Sequence, residues 1–286
     1  MTWWPPADRT PRFSAGGVAA PESSVVAAPL DDDLALALRL ADAADGLTRA
    51  AFTGDPVAHE IKADGSPVSE TDLAVEQRIA GIVGAERPGD GILGEEVGES
   101  GPSARRWIVD GIDGTVLFVA GVLGWATQIA LEVEGRPLIG VVTSGADGRR
   151  WWAARGSGAW GRDAAAGAAR PLAVSERAGL AGGRYTLIPP FDALSATRRE
   201  AVAPLSEGAA YVPPSEHGAL FVADGRAEAC VQLGGGPWDF AGLAVIIEEA
   251  GGRFSDLAGV PDIYGGGPAV FSNRAAHDDV LALLGH

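Results

Sequence analysis

Lysine and cysteine are almost missing from this 286-residue chain: each occurs once, as Lys62 and Cys230. A single thiol excludes an intramolecular disulfide and fits a reducing compartment, so a cytoplasmic protein is expected. Cys230 stands in Ala229-Cys230-Val231, an apolar setting that suits a buried inert thiol better than a nucleophile. No uninterrupted apolar run approaches the roughly 18–20 residues that span a bilayer. The first thirty residues lack a basic start with a firm apolar core, so no secretory leader is expected. Basic residues are few, 22 against 38 acidic ones, and a net charge of −16 argues against nucleic acid or an anionic membrane as partner. Histidine is scarce too, and His59, His277 and His286 show no metal-ligand spacing. With 47% hydrophobic and 21% charged residues the chain is an ordinary globular one, long enough for one large domain or two smaller ones.

What the chain does contain is acidic residues in a telling arrangement. Trp107 to Thr115 reads W-I-V-D-G-I-D-G-T, a buried-strand pattern breaking into a turn that carries Asp110 and Asp113. A second acidic pair, Glu95 and Glu96, follows the short strand-like Gly91 to Gly94. Far downstream, Pro237-Trp238-Asp239 opens an apolar helix. Paired carboxylates at such turns suit Mg²⁺, which takes oxygen ligands and shares them with substrate phosphate.

The remaining pattern is α+β. A helix is expected over Asp31 to Phe52; its leucines alternate, but its alanines and acidic start decide for helix. Asp64 to Pro67 is a turn, and Ser69 or Thr71 caps a helix over Asp72 to Glu86. Strands are expected near 92–93, 106–109, 125–133, 137–143 and 150–154, followed by an exposed Ala/Gly-rich loop at 163–170. The second half alternates: strands at 185–188, 210–212, 227–233, 253–255 and 269–272, and helices at 193–205, 216–222, 238–250 and 275–284. Trp151 and Trp152 read as strand and core residues. Trp3 and Trp4 sit in a segment, 1–30, expected to be a loose terminus. The body divides into 31–160 and 161–286, with a seam near 156–175. Helices, then a mostly antiparallel strand group, then alternating elements predict a layered α+β sandwich.

If Glu95, Asp110, Asp113 and Asp239 converge, they repel one another, and two or three divalent cations remove the conflict. The Ile112 carbonyl is a further candidate ligand. Gly114 and Thr115 offer amides to a phosphate if a helical turn starts there. Thr115, bonded to Asp72, is the candidate for orienting and deprotonating an attacking water. Of Glu95 and Glu96, one ligates while the other orients a water. Lys62 either supplies a compact ammonium or is a chance survivor of a GC-rich coding sequence whose other basic residues are all arginine. Glu216 and His217 are candidate substrate contacts, although a lone His beside a helix start is more often structural, and the same holds for Glu216.

Glu95-Glu96, Asp110 to Thr115 and Trp238 to Gly242 together resemble the inositol monophosphatase family of Mg²⁺-dependent, lithium-sensitive phosphatases. Lys62 to Asp72 resembles that family's Lys-x-Asp-x-Ser-Pro-Val-x-x-x-Asp segment. The likeness runs from Asp31 to the C-terminus. Within it, Arg87 to Glu96, Gly124 to Leu131 and Arg149 to Gly156 are most similar to actinobacterial histidinol-phosphatases. The resemblance implies an αβαβα sandwich, often dimeric. It implies metal ligation by Glu95, Asp110, Asp113, Asp239 and the Ile112 carbonyl, with Thr115 and Asp72 near the water; the all-oxygen donor set by itself accepts Mn²⁺ in place of Mg²⁺. The family usually has Pro at the place of Gly111 and Asn at the place of Leu117, and Leu180 to His217 departs from its histidinol-phosphatases. The expected activity is hydrolysis of a small phosphomonoester of the histidinol phosphate kind. An inositol, sugar or nucleoside monophosphate, a bisphosphate, or a non-catalytic binding role are the alternatives.

Overall fold

The computed structural model describes residues 30–53, 55–63, 65–164 and 167–285; Trp3, Trp4, Asp64 and His286 lie outside them. Helix α1 (Asp31–Ala51) buries Leu36, Ala37, Leu40, Ala41 and Ala44, one stripe at helical spacing, while Leu34 and Leu38 pack at its edge. A short antiparallel hairpin, β1 (His59–Ile61) and β2 (Pro67–Ser69), stands where only a turn was expected. Ser69 then caps α2 (Glu70–Glu86), its hydroxyl accepting the Thr71 N–H at 3.2 Å.

The next strands form one sheet: β3 (Gly91–Gly94), β4 (Gly98–Ser100), β5 (Arg105–Asp113), then, after the one-turn helix α3 (Thr115–Val119), β6 (Ala126–Val133), β7 (Arg136–Ser144), β8 (Arg149–Ala154), β9 (Ala159–Arg162) and β10 (Arg170–Pro171). Their order is β10-β9-β8-β7-β6-β5-β3-β4, antiparallel except for the β3–β5 pair. Strand β5 runs through the two aspartates instead of ending before them. Its register on β6 shifts between Asp110 and Asp113, so a bulge replaces the expected turn.

A second sheet, ordered β12-β11-β13-β15-β14, is built from β11 (Arg184–Ile188), β12 (Ala210–Tyr211), β13 (Ala229–Gln232), β14 (Gly252–Asp256) and β15 (Ala269–Asn273). Its helices are α4 (Ala196–Val202), α5 (Gly218–Ala223), α6 (Pro237–Glu249) and α7 (His277–Leu284). The single helix expected over 193–205 is broken into a 3-10 turn, α4 and a second 3-10 turn. Ser195 caps α4, and Pro204, which has no N–H to give, enters the following turn.

Strand alternation sorts the apolar residues into layers. Trp107, Val109, Ile129, Leu131 and Val141 face α1 and α2. Ile108, Ala130 and Val142 face the other way, sharing a core with α5, α6, Cys230, Phe254 and Phe271. Ala229, Val231 and Val270 turn to α4 and α7. The result is the expected αβαβα sandwich. Helix α6, at its centre, buries Phe240 to Ile247 on all sides. Its far end is tied down: Glu249 accepts the Gly156 and Gly158 N–H groups at 3.0 Å each, and Glu248 pairs with Arg155. Trp151 is buried as expected, and Cys230 is fully buried, its thiol pushed well above the usual range by burial. No helix among the described residues is long and apolar enough to cross a membrane.

One buried ion pair joins α1 to the first sheet. Arg150 reaches Asp45 at 2.8 Å and donates to the Thr143 hydroxyl at 3.1 Å, which itself donates to Asp45 at 2.9 Å. Burial raises the Asp45 carboxyl despite the attraction of Arg150. Arg150→Ala should therefore leave an uncompensated carboxylate and cost about 3–5 kcal/mol in urea denaturation. An Asp45→Asn/Arg150→Met pair should lose less than that single change.

Candidate active site

The acidic residues named from the sequence sit at element ends. The β3–β4 turn carries Glu95 and Glu96, the bulged end of β5 carries Asp110 and Asp113, and the first turn of α6 carries Asp239. Asp110, Asp113 and Asp239 each bring a carboxylate oxygen within 4.8 Å of the others. Asp239 also accepts the Gly236 N–H at 2.6 Å, so it caps its helix while facing the cluster.

Glu95 stands close enough to raise the pKa of both Asp110 and Asp239, but one of its oxygens is held by Lys62 at 2.8 Å. Lys62 holds Glu96 at 2.7 Å as well. The chain's one lysine is thus a single ammonium between two carboxylates. Its pKa, which burial would lower, is carried above the usual range by Glu95 and Glu96.

Thr115 and Asp72 meet as expected, with the Thr115 hydroxyl 3.1 Å from the Asp72 carboxylate and 2.9 Å from the Ile112 carbonyl. The other Asp72 oxygen accepts the Ser69 N–H and hydroxyl at 3.0 and 2.6 Å. Gly114, in left-handed conformation, precedes α3, so the Thr115 amide lies in a first helical turn. Gln128 donates to Asp113 at 2.9 Å.

Burial raises the carboxyl pKa of Asp110 most, followed by the charges of Glu95, Asp113 and Asp239. Burial likewise raises Asp239, followed by Asp113 and Glu95, and it raises Glu95 against the pull of Lys62. Carboxylates that push one another up in this way fit a hard divalent cation, and the donor set is entirely oxygen. The cluster forms the floor of a cavity of about 830 Å³. Glu216 and His217 line the same cavity, but their polar atoms are engaged. Glu216 pairs with Arg149 at 2.9 Å and with Arg226; His217 accepts the Ala219 N–H at 3.2 Å and meets Gln232 at 3.1 Å.

Sequence reasoning missed Glu76. Its carboxylate is buried and accepts three backbone N–H groups: Glu96 at 3.0 Å, Val97 at 2.8 Å and Gly111 at 3.3 Å. One side chain therefore ties both acidic loops together. Burial pushes its pKa up to about 7, against those three bonds. Two glycines make room for this arrangement. A Cβ at Gly94 would collide with the Glu76 carboxylate, and one at Gly111 would lie 2.5 Å from the Asp72 carbonyl oxygen. Proline at 111 would add that clash and remove an N–H donor. A readable signal existed: Asp72 and Glu76 share a face of α2 with Ile79 and Val83, at spacings that bury them.

An αβαβα sandwich whose oxygen-only acidic cluster lies at the floor of a cavity is the arrangement a metal-assisted phosphatase needs. The chain belongs to the inositol monophosphatase family, whose model matches residues 30–285, and so to the hydrolases of phosphoric monoesters. It is 42% identical over 264 residues to a histidinol-phosphatase of Mycobacterium tuberculosis, covering 88% of this chain and 98% of that protein. It is 41% identical over 238 residues to a Streptomyces griseus protein named glucose-1-phosphate thymidylyltransferase, covering 80% and 87%. Among solved structures, a Thermotoga maritima IMPase superposes with a TM-score of 0.77 at 25% identity, covering 88% of this chain and 96% of that one.

Glu76→Gln keeps the volume but sets an amide NH₂ against one backbone N–H. It should lower Tm, at a cost of about 1–3 kcal/mol. In a thermal-shift titration, Mg²⁺ should also stabilise the variant less than the parent; an unchanged Mg²⁺ response would confine Glu76 to folding.

Proposed function

We propose that this chain hydrolyses a small phosphomonoester with Mg²⁺, with histidinol phosphate as the first substrate to test. The observation that carries this reading is the meeting of Asp110, Asp113 and Asp239, beside the Thr115–Asp72 pair, at the floor of one cavity. Residues 31–160 supply Glu95, Asp110, Asp113 and the Ile112 carbonyl; residues 161–286 supply Asp239. These ligands would hold two or three Mg²⁺, and Mn²⁺ would substitute because the donors are all hard oxygens. Bound Mg²⁺ neutralises phosphate charge and makes water a better nucleophile.

The chain's own residues do the rest. The Gly114 and Thr115 amides receive the phosphate, as the first turn of α3 leaves N–H groups free of intrahelical partners. Thr115 orients the attacking water, taking its proton as its own hydroxyl proton passes to Asp72. Burial raises the Asp72 carboxyl, which suits a proton acceptor. Lys62 holds Glu95 and Glu96 in place, and Glu96 helps to orient the water. Glu216 and His217 border the leaving group. Nucleotidyl transfer, the activity in the name of the S. griseus relative, must hold two anionic partners. Among the described residues lining the cavity Arg198 is the only arginine or lysine, which favours hydrolysis of one monoester.

The same reading makes the enzyme a cytoplasmic homodimer acting on a free metabolite, without nucleic acid or membrane partners. The single cysteine and the charge of −16 support the compartment and the partners, and likeness to the family supports the dimer.

Phosphate release from histidinol phosphate should stop in EDTA and return with Mg²⁺; undiminished turnover in a fully chelated sample would sink the metal reading. Thr115→Ala should lower kcat by orders of magnitude while leaving Mg²⁺ affinity, measured by calorimetry, close to that of the parent. A near-native rate would remove Thr115 from the mechanism.

A further inference from the structure

A second cavity, of about 400 Å³, opens at the end of α6 opposite to Asp239, and Glu248 in the last turn of that helix lines it. Its charge is the reverse of the first. The cavity above the acidic cluster is lined by five carboxylate side chains and, among the described residues, one arginine. The second is lined by three arginines, Arg155, Arg253 and Arg274, and one carboxylate, Glu248. These arginines come from three places in the chain: the turn after β8, strand β14 and the turn after β15. Such a concentration stands out in a chain with 22 basic and 38 acidic residues.

The three guanidinium groups are unequally engaged. Arg155 is held by Glu248 and donates to the Pro137 carbonyl at 3.2 Å, so those two charges cancel. Arg253 pairs with Asp278 at 2.8 Å, but that carboxylate is 84% exposed, where an ion pair is worth little and exchanges readily. Arg274 is exposed and has no hydrogen-bond, ion-pair or ring partner among the described residues. Two guanidinium forks are therefore available, each with N–H donors spaced for the oxygens of a phosphate. The backbone keeps the space open. Gly259 is left-handed at φ +80°, and a Cβ there would start 3.8 Å from an Arg253 Nη atom. Phe254, also in the wall, is 2% exposed and leaves no ring face for a base to stack on. Recognition here falls to charge.

We propose that this cavity is a second anion site, for a compact phosphate-type dianion held between Arg253 and Arg274. Asp278 gives up Arg253 to the ligand and turns to solvent. Arg155 stays with Glu248 and shields the anion from that carboxylate. Orthophosphate, pyrophosphate and a small phosphate monoester share the required chemistry.

The test is calorimetric titration of the full chain with orthophosphate, pyrophosphate and methyl phosphate, in EDTA and at constant ionic strength. Without Mg²⁺ the acidic cluster repels all three anions, so the heat reports the second cavity. The parent should bind one equivalent, and the tightest of the three tells the free ion, a diphosphate or a monoester apart as the source. Arg274→Gln and Arg253→Gln should each raise Kd by about tenfold or more, as loss of one charge-assisted hydrogen bond does. Asp278→Asn, which removes the competing carboxylate, should lower it. Arg274 and Asp278 are exposed, so these variants should keep the parent's Tm and leave the test open if Arg253→Gln folds poorly. No binding to the parent, or a Kd that none of these substitutions moves, overturns the proposal. A Kd that answers to Asp239→Asn and not to the arginine variants would place the anion in the first cavity and overturn it as well. No turnover enters the measurement, so failure of the phosphomonoesterase reading would leave this test standing.

Discussion

Carboxylates removed from water together must take up protons or find positive charge, and this fold gathers Asp72, Glu76, Glu95, Asp110, Asp113 and Asp239 around one junction. The conflict shows in the raised pKa of Asp110, Asp239 and Glu95, each driven first by burial. It is met unevenly. Lys62 serves the Glu95–Glu96 turn, and backbone N–H groups serve Glu76 and one oxygen of Asp239. Asp110, Asp113 and Asp239 face one another, an all-oxygen set whose charge suits a divalent cation.

The sandwich makes this arrangement stable by separating tasks. The apolar faces of both sheets are occupied by helices, and the acidic residues are confined to the places where strands and helices end. A bulge in β5, not a free turn, aims Asp110 and Asp113, so their backbone stays within the sheet on either side. Positioning on regular elements gives the site more rigidity than loops alone would provide.

Much of this was legible in the sequence, for physical reasons. Helix α1 could be told from a strand by its alanines and acidic start, and helix geometry then explains which leucines are buried. The acidic set could be read because its members mark the ends of apolar runs. The β1–β2 hairpin escaped notice because His59 to Ile61 is exposed and has no alternating apolar face. The break within 193–205 turned on the Ser195 cap and Pro204, which outweighed helix propensity. Glu76 is hard to read because nothing in the sequence separates a buried carboxylate within an apolar stripe from a solvated one. Lys62 stood out only by its rarity, and its place between Glu95 and Glu96 required three-dimensional contacts. Apart from the neighbouring Ser215, the side-chain partners of Glu216 and His217 lie 10, 15 and 67 positions away in the chain, beyond the reach of local pattern.

Helix α6 carries Asp239 in its first turn and is anchored at its last by Glu248 and Glu249 on the β8–β9 turn. Thirteen residues at about 1.5 Å each make a strut of about 20 Å. Because a packed helix slides as a unit and scarcely compresses, the axial position of Asp239 is referenced to Gly156 and Gly158 on the opposite side of the layer. The β8–β9 turn is therefore a calibration point for the reach of the Asp239 carboxylate, and small lengthenings there would detune the acidic cluster while leaving every residue in it unchanged.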